Sequence, residues 1–259
     1  ISLQYHKVSI KAKFRNIYNI TNSDQSPNQG AQFTGPPLKP DIPLWGNYIH
    51  LDTDERKRFA QGSHECLIEQ VQEKKKTYSP SIYLNINHPV KSLYWVIQNE
   101  VAASVSSDLT SAAINPEINF SSNQLWVNSN DVLNYGIHEQ VNRSYLRPGN
   151  VSKYEHSKTA TFLFNGIERF EPRDATYFRT IQPGENNYKI PEKNIYMYSF
   201  CLKPEEHQPS GSCNFSLIDN FTMEFTGDQS YTGYDIIIYA VNYNILRIMS
   251  GFGGLLYSN

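Results

Sequence analysis

The clearest hydrophobic pattern runs through residues 234–249. Ile236, Ile238 and Ala240 fall on one face of an alternating segment, and Ile237, Tyr239 and Val241 on the other. Both faces are apolar, which predicts a central strand covered on both sides. Gly251, Gly253 and Gly254 then break it. Residues 81–87 and 91–98 carry the same period of two. Ile82, Leu84 and Ile86 share a face in the first run, and Leu93, Trp95 and Ile97 in the second. Residues 64–72 read as a strand with Cys66 and Ile68 on one face, Leu67 and Val71 on the other. Residues 159–164 form another, ending at Asn165–Gly166, a turn dipeptide suited to positive φ.

Upstream, residues 2–14 alternate, but the apolar set changes face midway, which predicts a strand with a bulge or bend. Residues 44–51 predict a second strand, after a polar loop at 16–43 that contains Pro36–Pro37. Residues 52–60 predict a short helix. Asp52 caps it, Glu55 completes the capping-box spacing, Phe59 and Ala60 turn to the core, and Gly62 and Ser63 end it. A second short helix is expected at 174–180, capped by Asp174 and anchored by Tyr177 and Phe178, with loop at 182–191. Residues 99–157 read as a polar insertion between strands.

Residues 195–200 place Tyr196, Tyr198 and Phe200 on one face, and the chain then enters a polar hinge with Pro204, Pro209 and Gly211. Proline removes a ladder donor and glycine permits positive φ, so the strand stops there. The chain should turn a wide corner and return as a strand at 221–225. Such corners suit a β-sandwich with Greek-key or jelly-roll connections.

Composition sharpens the class. The 259 residues include 18 Tyr, 13 Phe and 3 Trp, with 14 Pro and 14 Gly dividing the chain into short runs, and this reads as all-β. A chain of this length buries about three quarters of its unfolded surface. With 23 basic and 25 acidic side chains there is no basic stripe for nucleic acid. The run Lys74–Lys76 reads as a solvated strand end or turn. No stretch of about 18 apolar residues exists, so no transmembrane helix is expected. Three cysteines, Cys66, Cys201 and Cys213, are too few for a disulfide framework and suit a reducing compartment. N-x-S/T sequons at Asn19, Asn119, Asn142, Asn150, Asn214 and Asn220 are expected by chance in an asparagine-rich chain.

No constellation carries catalytic chemistry, and no catalytic, cofactor or metal residue is assigned. Glu205, Glu206 and His207 are consecutive, with Cys213 six residues on. Three neighbours in a loop converge poorly on a metal, so a hydrogen-bonded corner, its carboxylates accepting backbone N–H groups, is the better reading. Cys201 and Cys213 read as small buried hydrophobes rather than a bridge. Asp52, Asp54 and Glu55 with Arg56, Lys57 and Arg58 read as a capped, ion-paired helix. Glu168, Arg169, Glu171, Arg173, Asp174 and Arg179 read as a salt-bridge network, possible at an interface. The histidines His6, His50, His64, His88, His138, His156 and His207 never stand two apart, which removes the H-x-H pattern of jelly-roll metal enzymes. Gly251–Gly254 follows a strand and precedes no helix, so it is no phosphate loop.

Five blocks carry a family resemblance: LQYHKVSIKAKFR, LWGNYIHLDTDERKRFAQGSHECLIEQ, NGIERFEPRDATYFRTIQP, KPEEHQPSGSCNFSLIDN and the ending YAVNYNILRIMSGFGGLLYSN. Together they resemble the major capsid protein of nucleocytoplasmic large DNA viruses, over nearly the whole chain. The resemblance implies tandem jelly rolls. The chain lacks an initiator Met and begins inside a motif, so residues 1–62 would be the C-terminal part of a first jelly roll with a long loop and a linking helix, and residues 63–259 a complete second jelly roll. The strands before Gly62 would then be incomplete and prone to fray without their partners. The resemblance further implies a structural protein rather than an enzyme, a homotrimer whose pseudo-hexagonal capsomers tile an icosahedral shell, contacts with neighbouring capsomers and with minor capsid and penton proteins, no direct nucleic acid, and residence in the virion capsid after assembly in the host cytoplasm. Loops 16–43 and 99–157 would point outward or touch neighbouring subunits. The rival reading is a carbohydrate-binding, lectin-like jelly roll, in which tyrosine and asparagine at one loop end would stack on and hydrogen-bond sugars.

Overall fold

The computed structural model describes residues 2–12, 43–99, 155–191, 193–227 and 234–257. Helix α1 (Thr53–Gln61) precedes β1 (His64–Thr77), β2 (Ser81–Leu84) and β3 (Pro89–Asn99). After residue 154 come β4 (Thr159–Phe164), β5 (Ile167–Glu168), β6 (Arg173–Asp174), a π-helical turn (Tyr177–Ile181), α2 (Gln182–Glu185) and β7 (Ile195–Ser199). The chain ends with β8 (Cys213–Asn214), a 3-10 turn (Phe215–Leu217), β9 (Phe221–Thr226), β10 (Tyr234–Met249) and β11 (Phe252–Leu255).

The pairing is that of one long hairpin rolled up. β1 pairs β10, β2 pairs β9, β3 pairs β7, and β4 pairs β5, all antiparallel. The hairpin's tip is Asn165–Gly166, with φ of 52° and 81°, where Phe164 faces Ile167 across the turn. Both central residues have positive φ, as a twist-matched two-residue hairpin requires. Rolling adds two cross-pairings, β10 with β3 and β4 with β9. The first sheet thus runs β1-β10-β3-β7 and the second β2-β9-β4-β5, with β11, β8 and β6 as short additions. This is a jelly-roll sandwich, the fold class the sequence predicts.

The core lies between the sheets. Ile236, Ile238 and Ala240 of β10, Leu93, Trp95 and Ile97 of β3, and Ile82 and Leu84 of β2 are buried in one cluster with Phe162 and Met223. Trp95 stacks on Tyr196 (5.7 Å) and meets Phe162 and Phe178 edge-on (5.8 and 5.3 Å). Burying each such side chain stabilises by about 1.5–3 kcal/mol. Beyond Ala240 the inward positions of β10 become Asn242 and Asn244, and amides replace methyls. Gln72 Nε2 donates to Asn242 Oδ1 (3.0 Å) and to the Asn87 carbonyl (2.6 Å). Asn244 Nδ2 donates to Gln70 Oε1 (2.8 Å) and the Tyr257 carbonyl (2.9 Å), and its Oδ1 accepts from Tyr257 N–H (3.1 Å). Each buried amide is therefore satisfied, as burial demands.

Several expectations are corrected. The described parts of residues 2–14 and 44–51 form no strand, and Trp45 is 88% exposed. Alternation alone cannot hold a strand that has no ladder partner, and none of the described strands pairs with these segments. Helix α1 keeps its capping box, with Asp52 and Glu55 both engaged, but buries no residue; Phe59 stacks on His64 instead (5.4 Å). The helix expected at 174–180 is present from Ala175, with Asp174 Oδ1 accepting the Thr176 N–H (2.8 Å), and it runs on to Glu185. Arg173–Asp174 is drawn into the sheet opposite Thr159 and Ala160, and Pro183, which suits a first helical turn, sits in the short α2 within the expected loop. β10 is central, yet its outward Ile237, Tyr239 and Val241 are only half-buried, so one face is fully covered rather than two. Gly251 does not simply end β10. Ser250 and Gly251, at φ of 50° and 82°, turn the chain into β11. The expected insertion at 99–157, apart from Asn99 and residues 155–157, and loop residues 16–42 lie outside the described residues.

Candidate assembly surfaces

The corner at 200–213 is an excursion from a single strand line. Phe200 N–H donates to the Lys91 carbonyl (2.9 Å), and Cys213 faces Val90, the next position along β3. Residues 201–212 therefore leave and rejoin the sheet at one point, as an Ω-loop does. The neck is closed by Gly211, at φ 142°, where a Cβ would meet the Phe200 carbonyl at 3.2 Å and Cys201 Cα at 3.3 Å. Lys203 N–H donates to Ser210 Oγ (2.8 Å) across the loop.

Lys91 anchors this loop from below. The register of β3 against β10 slips between Val241 and Asn242, leaving Lys91 as the extra residue of a bulge. Its ammonium donates to Glu69 Oε1 of β1 (2.5 Å) and to the Pro204 carbonyl (2.9 Å), and lies 5.7 Å from the centre of the Tyr243 ring. One cation thus joins β1, β3, β10 and the loop. Burial is the main cause that pushes the Tyr243 hydroxyl above its ordinary pKa. Nearby, the Tyr94 hydroxyl donates to the Tyr188 oxygen (2.9 Å), and burial pushes Tyr188 up strongly.

A second ionic centre sits at the opposite end of the sheet. Arg179 Nε donates to Glu155 Oε1 (2.6 Å), and Tyr196 hydroxyl donates to Glu155 Oε2 (2.8 Å). Burial first, then the Glu155 charge, pushes Tyr196 well above its ordinary pKa.

The residues singled out from sequence fall as follows. Glu206 pairs with Lys203 (2.8 Å) and Glu205 and His207 are exposed, so the corner is held by Ser210, Gly211 and Lys91 rather than by carboxylates on backbone N–H groups. Among the described residues no group of histidine, cysteine and carboxylate side chains converges on a metal. Cys201 and Cys213 are free thiols, Cys201 buried as a small hydrophobe. Asp54 pairs with Lys57 on α1 (3.7 Å). The charged block at 168–179 is not a network: among the described residues only Arg179 forms an ion pair, with Glu155, while Arg173 lies over the Tyr177 ring (5.4 Å). Lys75, at the end of β1, pairs with Asp235 (2.7 Å). Sequence reading missed Lys91. The available signal was a lone lysine between Val90 and Leu93 in an apolar strand, which burial obliges to find a partner.

Three exposed apolar side chains lie at the corner end of the sandwich. Ile167 beyond the hairpin tip, Leu202 in the corner loop and Leu217 in the 3-10 turn are each exposed by more than 70%. Beneath them Phe164, Phe200, Phe215 and Phe221 close the core with ring centres 5.0–6.3 Å apart.

Residues 55–254 match the family described as large eukaryotic DNA virus major capsid protein. The chain belongs to this family. It is 34% identical over 324 residues to the major capsid protein of Phaeocystis pouchetii virus, with all of this chain and 62% of that protein covered. Against the major capsid protein of Paramecium bursaria Chlorella virus 1 it is 32% identical over 298 residues, again with all of this chain and 62% of that protein covered. The chain therefore spans about three fifths of the length of these relatives. It also superposes on a quasi-atomic model of the PBCV-1 virus capsid with a TM-score of 0.56 and 33% identity, covering 82% of this chain and 56% of that one. No observation supports the carbohydrate-binding alternative, and the sandwich aromatics Trp95, Phe162, Phe178 and Tyr196 are spent on the core. Among the described residues no helix is long and apolar enough to cross a membrane.

Proposed function

We propose that the protein is a structural subunit of a viral capsid and not an enzyme. The carrying observation is the rolled hairpin from β1 to β10, which lies within the matched residues 55–254. In this reading residues 63–259 are the second of two jelly rolls and residues 1–62 the end of the first. Three copies form a capsomer with a pseudo-hexagonal outline. Capsomers pack against one another, and against minor capsid and penton proteins, to tile an icosahedral shell assembled in the host cytoplasm. Nucleic acid is not a direct partner.

Three features support the reading. The side chains are invested in packing, with aromatic and amide layers that make a stiff block. The half-buried face of Ile237, Tyr239 and Val241 leaves apolar surface to cover. Finally, β3 ends at Asn99 and β4 begins at Thr159, next to where β9 ends and β10 begins and opposite the corner loop. The segment between them leaves and re-enters the sandwich at that end, and in this reading it forms outward loops or touches a neighbouring subunit.

The test is the solution mass of the full-length protein by light scattering after gel filtration. A stable trimer without added metal or ligand is expected. A clean monomer at all concentrations would overturn the capsomer reading.

A further inference from the structure

The surface of the glycine run after β10 is occupied. Residues 3–6, nearly 250 positions away, lie on the β10–β11 hairpin. Tyr5 N–H donates to the Gly251 carbonyl (3.1 Å), and Gly253 N–H donates to His6 Nδ1 (3.1 Å). The Tyr5 ring stacks on Phe252 at 5.0 Å, and the His6 ring meets the same phenyl edge-on at 5.6 Å. Just upstream, Ser2 Oγ donates to the Phe59 carbonyl of α1 (3.0 Å). The segment is thus held by reciprocal backbone and ring contacts rather than merely lying nearby.

Two of the glycines leave room for the segment's side chains. A Cβ on Gly253 would come within 2.7 Å of Leu3 Cδ2, and one on Gly251 within 2.7 Å of Tyr5 Cδ2. Gly254 is different: a Cβ there would meet nothing within 4 Å. Gly251 is also required by its φ of 82°, so its substitution would disturb the turn as well as the seat. Gly253 carries no such backbone demand, and its lack of a side chain serves the contact with Leu3.

We propose that the β10–β11 hairpin is a docking seat for the segment Leu3–His6, and that it fastens the part of the protein preceding α1 to the jelly roll. The second clause rests on the reading of residues 1–62 as the end of a preceding unit. Gly253 selects the occupant by leaving room for the Leu3 side chain, and Phe252 supplies the ring on which Tyr5 and His6 pack.

Hydrogen exchange on the full-length protein tests this, comparing the parent with Gly253→Ala and Gly254→Ala. The Tyr5 amide should be protected in the parent and in Gly254→Ala, and should exchange at least about tenfold faster in Gly253→Ala. Amides of β3 and β4 should stay protected in all three, which shows that the sandwich is folded. Equal Tyr5 protection in all three proteins, loss in both variants, or an unprotected Tyr5 in the parent would each overturn the proposal. Light scattering on the same samples separates the two readings. A trimer with unprotected Tyr5 sinks the seat alone, whereas a monomer with protected Tyr5 sinks the capsomer alone.

Discussion

Lys91 Nζ lies 2.5 Å from Glu69 Oε1, with the lysine side chain 6% exposed and the glutamate 32% exposed. The pair holds a bulged residue of β3 to the edge strand β1, and the same ammonium holds the corner loop through Pro204. Removing one partner strands the other charge. Lys91→Met should therefore destabilise by about 2–3 kcal/mol, below the full cost for a wholly buried pair because Glu69 is partly solvated. Replacing both, Lys91→Met with Glu69→Leu, should recover much of that loss. A denaturant double-mutant cycle measures the coupling. Single variants within about 0.5 kcal/mol of the parent would show that the pair adds nothing.

Gly166 offers a cleaner measure of backbone strain. Its φ is 81°, and a Cβ there would touch nothing within 4 Å. Gly166→Ala should therefore cost only the left-handed penalty, about 1–2 kcal/mol. Asn165→Gly, at φ 52°, relieves strain but loses the Oδ1 that accepts the Asn220 N–H (2.9 Å), so it should cost no more than about 1 kcal/mol. Thermal unfolding of the two variants decides the matter. An unchanged midpoint for Gly166→Ala would mean that the hairpin tip relaxes to another turn.

These sites show what sequence could and could not reveal. The turn at Asn165–Gly166, the capping box of Asp52 and Glu55, and the inward faces of β2, β3 and β10 depend on local chemistry or a period of two, and both can be read in one dimension. Residues 2–12 alternate as well, and 44–51 read as a strand, but a strand exists only beside a partner, and local pattern does not say whether one is present. The Lys91 clamp depends on a bulge that brings Glu69 and Pro204, 22 and 113 positions away, to one ammonium. The helix after Asp174 was legible from its cap, but the ladder of Arg173–Asp174 with β4 and the run of the helix on to Glu185 were not.

The three thiols should react in an order set by burial. Cys66 is exposed, Cys213 half-buried and Cys201 buried. Burial is also the main cause that pushes the Cys213 thiol up, which lowers its thiolate fraction at neutral pH. Timed maleimide labelling read by mass spectrometry of peptides should give Cys66 first, with Cys201 and Cys213 slower by at least about tenfold. Equal rates for Cys66 and Cys201 in the native protein would contradict the packing of the corner neck. A Cys201–Cys213 disulfide in freshly purified protein would do the same.

Alkaline pH should unfold the protein through its buried tyrosines, and Tyr196 is the residue to follow. Its hydroxyl is pushed well above the ordinary value by burial, and next by the charge of Glu155, to which it donates a proton at 2.8 Å. In the unfolded chain a tyrosine ionises near pH 10, about the value of a free phenol. Above that pH the unfolded state releases a proton that the folded state retains, so stability falls as pH rises. Below pH 10 this contribution is fully present, and from there it is lost progressively until the folded-state pKa is passed. Tyr196→Phe removes the titrating group but also a donor to Glu155 and the acceptor of the His156 N–H (3.3 Å), so it should cost about 1–2 kcal/mol at pH 7. Its stability should then fall less steeply than the parent's between about pH 10 and 11.5, where tyrosines ionise. Chemical denaturation across that range, in parent and variant, gives the two slopes. Parallel slopes would mean that Tyr196 reaches water in the folded protein and that the Glu155 centre is open.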